Sequence, residues 1–451
     1  MSKLKKDLTL GGLTMIAIGA CIGSGIFVTP QGSFAHLPHH GYVMLAWAIG
    51  GLVTYFGAMT FSELGARYPK AGGVYVFLKE AYGDLVGFLY GWIILLVVTT
   101  GALAALSMAF ANYLSFFFEM TDMTKQLVGI STIAMLTAIN ITGVKVSDIF
   151  AKVFTGLKLA ALAAIVVLGF VILAKSEVTH TLNFDLAAPP ADLGNLMLLA
   201  FVGVFFSFGG WHHATYLAGE TENPQRNVPR AMLIGTLTVT IVYLLVIFSY
   251  SLLLPMADII SSDRVAGDAV ANAVSGGGKL VAVAISISIF GTIGIYTMSA
   301  PRIYYAMAKD GVFFTSLAKL HPKYKTPHYA MIFQGVWAIF LILILTNFHN
   351  LMTFATFMDI VFMALATSTI FIFRKRQQSN TASESPTGLN KPAYLLKLYP
   401  LIPILYLLVT VAFVVNQLAN MNLVTYLGPL ILALGIPTFY FFKNKSQKTN
   451  S

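Results

Sequence analysis

Gly19-Ala20-Cys21-Ile22-Gly23-Ser24-Gly25-Ile26-Phe27 lies inside an apolar run long enough to cross a bilayer, yet it places three glycines within seven positions. A second interruption, Phe206-Ser207-Phe208-Gly209-Gly210-Trp211, stands in another such run. Each glycine costs a helix about 1 kcal/mol relative to alanine, and unpaired backbone in hydrocarbon costs several more. Both runs are therefore expected to unwind, and to do so around a cavity. Alternatively, the small residues form a patch that lets two unbroken helices approach closely. An unwound segment followed by a half-helix offers free N–H groups and the positive end of a dipole, which suit a carboxylate. The carbonyls left unpaired before the break suit an ammonium. A small molecule carrying both groups a bond apart is an α-amino acid.

Composition places these breaks in a membrane. Of 451 residues, 57% are hydrophobic and 10% are charged, with a mean hydropathy of +0.77; a soluble domain carries about 25% charged residues. Apolar stretches near 10–35, 42–66, 84–117, 125–143, 147–174, 191–218, 228–254, 279–307, 328–347, 350–373, 395–417 and 423–442 predict an all-α membrane protein with twelve transmembrane helices. The basic start, Lys3-Leu4-Lys5-Lys6, has no small-residue cleavage site and reads as retained. The net charge of +10 is spread through short segments between spans, which argues for topology signals and against a nucleic-acid surface. Segments on the side of the termini hold most of it, as at Arg67 and Lys70, Arg226 and Arg230, and Arg374-Lys375-Arg376. Opposite segments hold only Lys125, Lys175, Arg264 and Lys279, so both termini are expected in the cytoplasm. The broken spans are the first and sixth, the spacing that two inverted five-helix repeats would bring face to face at mid-bilayer. Residues 1–174 then form the first repeat, 191–373 the second, 377–394 a cytoplasmic linker, and 395–442 a final pair of helices.

Other chemistry finds little support. The lone Cys21 excludes an intrachain disulfide and any cysteine metal cluster. Neither a nucleophile paired with a base nor a His-Glu-x-x-His motif appears, so no enzyme, metal or cofactor is expected. A channel filter loop is likewise missing. Adjacent His212 and His213 point about 100° apart on a helix and read as interfacial side chains, one of them lining an outer vestibule. His36, His39 and His40 lack an acidic or cysteine partner for a metal. Asp359 is an intramembrane acid whose partner the neighbouring residues do not indicate. Glu63 and Arg67, four apart, are expected to pair at the inner surface.

Five segments give the chain a family resemblance. The first break is one. Glu63-Leu64-Gly65-Ala66-Arg67-Tyr68-Pro69-Lys70-Ala71-Gly72-Gly73-Val74-Tyr75, running to Glu80-Ala81-Tyr82-Gly83, is the second, and Glu220-Thr221-Glu222-Asn223-Pro224-Gln225-Arg226-Asn227-Val228-Pro229-Arg230 is the third. Pro301-Arg302 with Lys309-Asp310-Gly311, and His321-Pro322 with Thr326-Pro327, complete the set. In this order the sequence resembles the amino acid–polyamine–organocation superfamily, specifically the L-type amino acid transporters and their bacterial serine/threonine and alanine/serine/cysteine exchanger relatives. The resemblance implies a LeuT-like fold in which helices 1, 2, 6 and 7 rock against helices 3, 4, 8 and 9. It implies that the substrate carboxylate meets the amides of Gly23, Ser24 and Gly25, beside Ile26, and that the amino group meets carbonyls around Ala20, Cys21, Phe206, Ser207 and Gly209. Phe206 matches the family's aromatic gate. Helix 8 would supply the far wall through Gly291, Thr292, Gly294, Ile295 and Tyr296. Gly294 stands where some L-type carriers have a polar side chain, so with small walls at Ala20, Cys21 and Ser207 the expected substrates are Ala, Ser, Cys or Thr.

Lys158 lies within the otherwise uncharged fifth span. A buried ammonium costs about 2.5–3.5 kcal/mol on insertion scales, so it should face protein partners, unless its long side chain snorkels to the inner surface. By resemblance to the sodium-independent branch, its charge would occupy the place between helices 1, 5 and 8 where sodium-coupled relatives hold an ion, bonding to carbonyls near Gly19 and Ala20. Two coupling schemes follow: one-for-one exchange with Lys158 permanently charged, which the family favours, or proton symport with Lys158 releasing a proton each cycle. A membrane sensor that binds an amino acid without moving it would carry the same site. The eukaryotic L-type carriers bond a glycoprotein partner through a cysteine after helix 3. Glu119–Gln126 here has none, so no disulfide-linked subunit is expected and a bacterial inner membrane is the implied home.

Overall fold

The computed structural model describes residues 4–186, 189–262, 264–344, 348–382, 392–419 and 427–450. Among them the chain is helical, and its β contact is one isolated bridge, Leu8 with Thr221. The helices used below are α1 (Leu10–Cys21), α2 (Gly25–Val28), α3 (His40–Arg67), α4 (Asp84–Leu114), α5 (Asp122–Ile141), α6 (Val144–Ala174), α7 (Leu193–Phe208), α8 (His213–Tyr216), α9 (Pro224–Leu253), α10 (Gly277–Lys309), α11 (His328–Ile344), α12 (Phe348–Ala382), α13 (Leu401–Ala419) and α14 (Leu427–Asn450). Eight helical stretches among the described residues are long and apolar enough to cross a membrane, α7 and α11 are shorter apolar helices, and the molecule is a multi-pass membrane protein.

The ends of these helices follow local chemistry. Thr9 caps α1 by accepting the Gly12 amide at 3.3 Å, and Thr121 caps α5 by accepting the Thr124 amide at 3.2 Å. Pro224 begins α9, where a missing N–H costs nothing. Inside the spans, hydroxyls satisfy themselves on the carbonyl one turn back, as Thr54 does on Gly50 at 2.8 Å and Ser62 on Ala58 at 2.7 Å. Apolar residues cover these helices on every side, as fits helices in lipid or in a protein core. One face of α6 looks outward through Val153, Val167 and Phe170, whereas α1 is enclosed by α6, α9 and α10.

Two expectations about boundaries shift. The linker assigned to 377–394 is helical as far as Ala382, because α12 runs several turns past the apolar stretch; residues 383–391 lie outside the described residues. The stretch expected to begin at 395 becomes helical only at Leu401, just after Pro400. The start of the last span, 423–426, also lies outside the described residues.

Buried charges tie the ends of the helices together. Glu63 is fully buried and accepts from Arg67 Nε at 2.9 Å, Arg374 Nε at 2.9 Å and the Leu396 amide at 2.8 Å. The expected Glu63–Arg67 pair is thus part of a knot joining α3, α12 and the approach to α13. A second pair, Glu220 with Arg302, is buried on both sides: Arg302 Nε and Nη2 donate to the two carboxylate oxygens at 2.6 and 2.8 Å, and Nη1 donates to the Met298 carbonyl.

Candidate functional site

The helix that begins at Leu10 stops at Cys21, and Ile22-Gly23-Ser24 is non-helical before the turn of α2. The other expected break is also present: α7 stops at Phe208, and Gly209 to His212 lead into α8. The two breaks touch. Gly210 has φ +103°, and a Cβ there would lie 2.7 Å from the Ala20 carbonyl oxygen. A Cβ on Gly25 would lie 2.8 Å from Cα of Ser207. Only glycine allows both approaches, and at Gly210 only glycine takes the backbone angle without strain.

A cavity of about 70 Å³ opens at this crossing. Ala20, Cys21, Gly23, Ser24, Gly25, Phe206 and Gly209 all line it, whereas Ile26, Ser207 and Gly294 do not. Ser24 Oγ is buried there without a hydrogen-bond partner among the described residues. The Ser207 hydroxyl turns instead to Thr29 Oγ1 at 2.7 Å and the Gly203 carbonyl at 2.9 Å. Gly294 faces α6, where its Cβ would meet the Phe150 ring at 2.3 Å, and its carbonyl accepts from Asn140 Nδ2 at 3.1 Å. Of the wall expected from helix 8, Thr292 and Tyr296 reach the cavity and Gly291 and Ile295 do not.

The carbonyls released by unwinding are divided between two sets of donors. Lys158, with no exposed surface, donates to the carbonyls of Gly19 at 2.8 Å and Ile22 at 2.7 Å and to Thr292 Oγ1 at 2.6 Å. An ammonium has three N–H bonds, and all three are used. The side chain therefore does not snorkel. Tyr243, on α9 and fully buried, places its hydroxyl 3.0 Å from both the Cys21 and the Ser207 carbonyl oxygens, one on each side of the crossing. Those two carbonyls, expected to face the substrate's amino group, thus already have a protein donor.

Sequence reading missed several parts of the wall. His212 and His213 both line the cavity rather than an outer vestibule; His213 Nδ1 is 2.6 Å from Ser299 Oγ, and its ring stacks on Tyr296 at 4.4 Å. Asp359 also lines it, with Oδ1 3.9 Å from His212 Nε2. The opposite wall includes Ile94 and Val98, the ends of a π-helical turn within α4. Such turns are frequent at functional sites.

A multi-pass helical protein with two interrupted helices crossing over a cavity has the build of a solute carrier. The chain belongs to the amino acid permease family, within the amino acid–polyamine–organocation superfamily, and the family's profile matches residues 8–436. It is thus an amino acid transporter, not an enzyme. The serine/threonine exchanger SteT of Bacillus subtilis (strain 168) is 31% identical, with 98% of each chain aligned. Large neutral amino acids transporter small subunit 2 of Homo sapiens is 29% identical over 97% of this chain and 80% of its own length. Asc-type amino acid transporter 1 of Mus musculus is 29% identical over 98% of this chain and 83% of its own.

Proposed function

We propose that this chain is a sodium-independent exchanger of small neutral L-amino acids, working by alternating access. Twelve spans are arranged as a LeuT-like pair of inverted repeats, 1–174 and 191–373, followed by the two helices of 395–442. Both termini are cytoplasmic, in a bacterial cell membrane, and no covalently attached subunit is involved. The substrate carboxylate sits on the amide end of α2 against Ser24, its amino group faces the carbonyl ends of α1 and α7 near Ala20 and Phe206, and Phe206 closes over it.

One observation carries the exchange reading: the Lys158 ammonium fills the space between α1, α6 and α10 with three hydrogen bonds. A fixed cation there does the work of a transported ion, so no sodium is needed. Relatives named for serine/threonine exchange and for Asc-type transport support small substrates, as do the small walls at Ala20 and Cys21.

Counterflow into liposomes tests it. Labelled serine or alanine should enter only when unlabelled amino acid is loaded inside, at the same rate in sodium or choline. Uptake into empty liposomes driven by an inward proton gradient would instead establish symport. Binding without any counterflow would mark a sensor.

A further inference from the structure

The cavity has one polar corner that neither end of an amino acid explains. Asp359 Oδ1 is buried and has no hydrogen-bond partner among the described residues. His212 Nε2 is 3.9 Å away, beyond hydrogen-bond reach. Phe205, Phe206, Ala355 and Ile360 line the cavity with them, as do Thr356 and Tyr216. The same two side chains also bound a smaller recess of about 20 Å³ on the far side, so they stand between the two spaces. An acid in a membrane span without a donor is costly. That cost is offset if whatever occupies the cavity supplies one. The head of an amino acid is already matched at the helix breaks, so the donor must come from its side chain.

Resting on the transport reading above, we propose that Asp359 and His212 form a side-chain subsite selecting amino acids with a short hydroxyl, serine and threonine, over apolar analogues of the same size. A hydroxyl both donates and accepts. It gives its proton to Asp359 Oδ1 and accepts from His212 Nε2–H, bridging from the cavity two groups that stand 3.9 Å apart. A thiol does the same more weakly, and a methyl leaves both groups unpaired. Sites that hydrogen-bond a hydroxyl reject the analogue lacking it more strongly than apolar pockets reject an added one. The charge of lysine or arginine would also suit a carboxylate, but neither side chain has an acceptor for His212 Nε2–H.

Threonine and valine have nearly the same shape, so their ratio isolates the hydroxyl. In counterflow with the full-length protein in liposomes, threonine should outcompete valine by about 10- to 100-fold, the span expected for a hydrogen bond to a charged group. Asp359→Leu should bring the ratio close to one, and Asp359→Asn, which still accepts, should leave it between. If the leucine variant is not produced, the asparagine and His212→Phe variants carry the same test through the same ratio. A wild type that moves alanine but treats threonine and valine alike overturns the subsite, as does an unchanged ratio in the variants or a preference for ornithine over threonine. A wild type that exchanges no amino acid at all would refute the transport reading instead.

Discussion

Lys158 shows how much a single residue can set. Its three bonds cross from α6 to α1 and α10, and each hydrogen bond to a charged group is worth about 1.5–3 kcal/mol. Lys158→Ala should lower exchange at least about tenfold, with the loss in reorientation and not in substrate binding. Counterflow rates set beside equilibrium binding of the same amino acid check this, and wild-type rates would remove Lys158 from the coupling mechanism. Gly210 makes the complementary point. An alanine there would take a strained backbone angle and press on the Ala20 carbonyl, costing about 1–3 kcal/mol. Gly210→Ala should melt several degrees below wild type in detergent and transport poorly, whereas Gly156→Ala, with open space around its Cβ, should do neither. Both residues were legible in the sequence because a lone charge and a glycine pair contrast with an apolar run. Asp359 stood out for the same reason. Its closeness to His212 was not legible, since the two are far apart in sequence and meet only when α12 closes on the second break.

At the scale of elements, the breaks were readable but the rotation of each helix about its axis was not. Amphipathicity reports which side of a helix faces inward, and these helices are apolar all round. That is why the sequence alone puts Gly294 and Ser207 at the cavity although one packs on Phe150 and the other bonds Thr29 and Gly203. The π-helical turn at Ile94–Val98 left no mark in composition either. Tyr243 is the largest omission, for its hydroxyl lies 3.0 Å from carbonyls of both broken helices. Tyr243→Phe would leave two buried acceptors without that donor, at a cost of about 1–3 kcal/mol. The expected result is a lower melting temperature together with a several-fold weaker apparent affinity, both measurable on purified protein. A fall in stability alone would confine Tyr243 to packing.

For the whole molecule, the buried Glu220–Arg302 pair joins the segment that follows the second break to α10. Under the rocking arrangement these belong to the moving and the stationary halves, so the pair must separate when the inner side opens. Removing one partner of a buried pair costs about 3–5 kcal/mol, and under that arrangement the cost would fall on the state closed to the inside. The single cysteine offers a direct readout. Cys21 lines the cavity with only 4% of its surface exposed. In inside-out vesicles, Glu220→Gln should speed its labelling by a membrane-impermeant thiol reagent at least about tenfold. Equal rates would mean that the pair does not hold the inner side shut.

The tethering of Lys158 also bears on voltage. A charge crossing the whole bilayer gains or loses about 2.3 kcal/mol for every 100 mV. If Lys158 keeps its proton and each half-cycle carries one zwitterion, the outward and inward strokes displace its charge equally and oppositely. One-for-one exchange should then be electroneutral, running at steady state with no net current. A potassium diffusion potential imposed on proteoliposomes would leave the distribution of substrate at equilibrium unchanged, so the cell could trade one amino acid for another without drawing on its membrane polarisation.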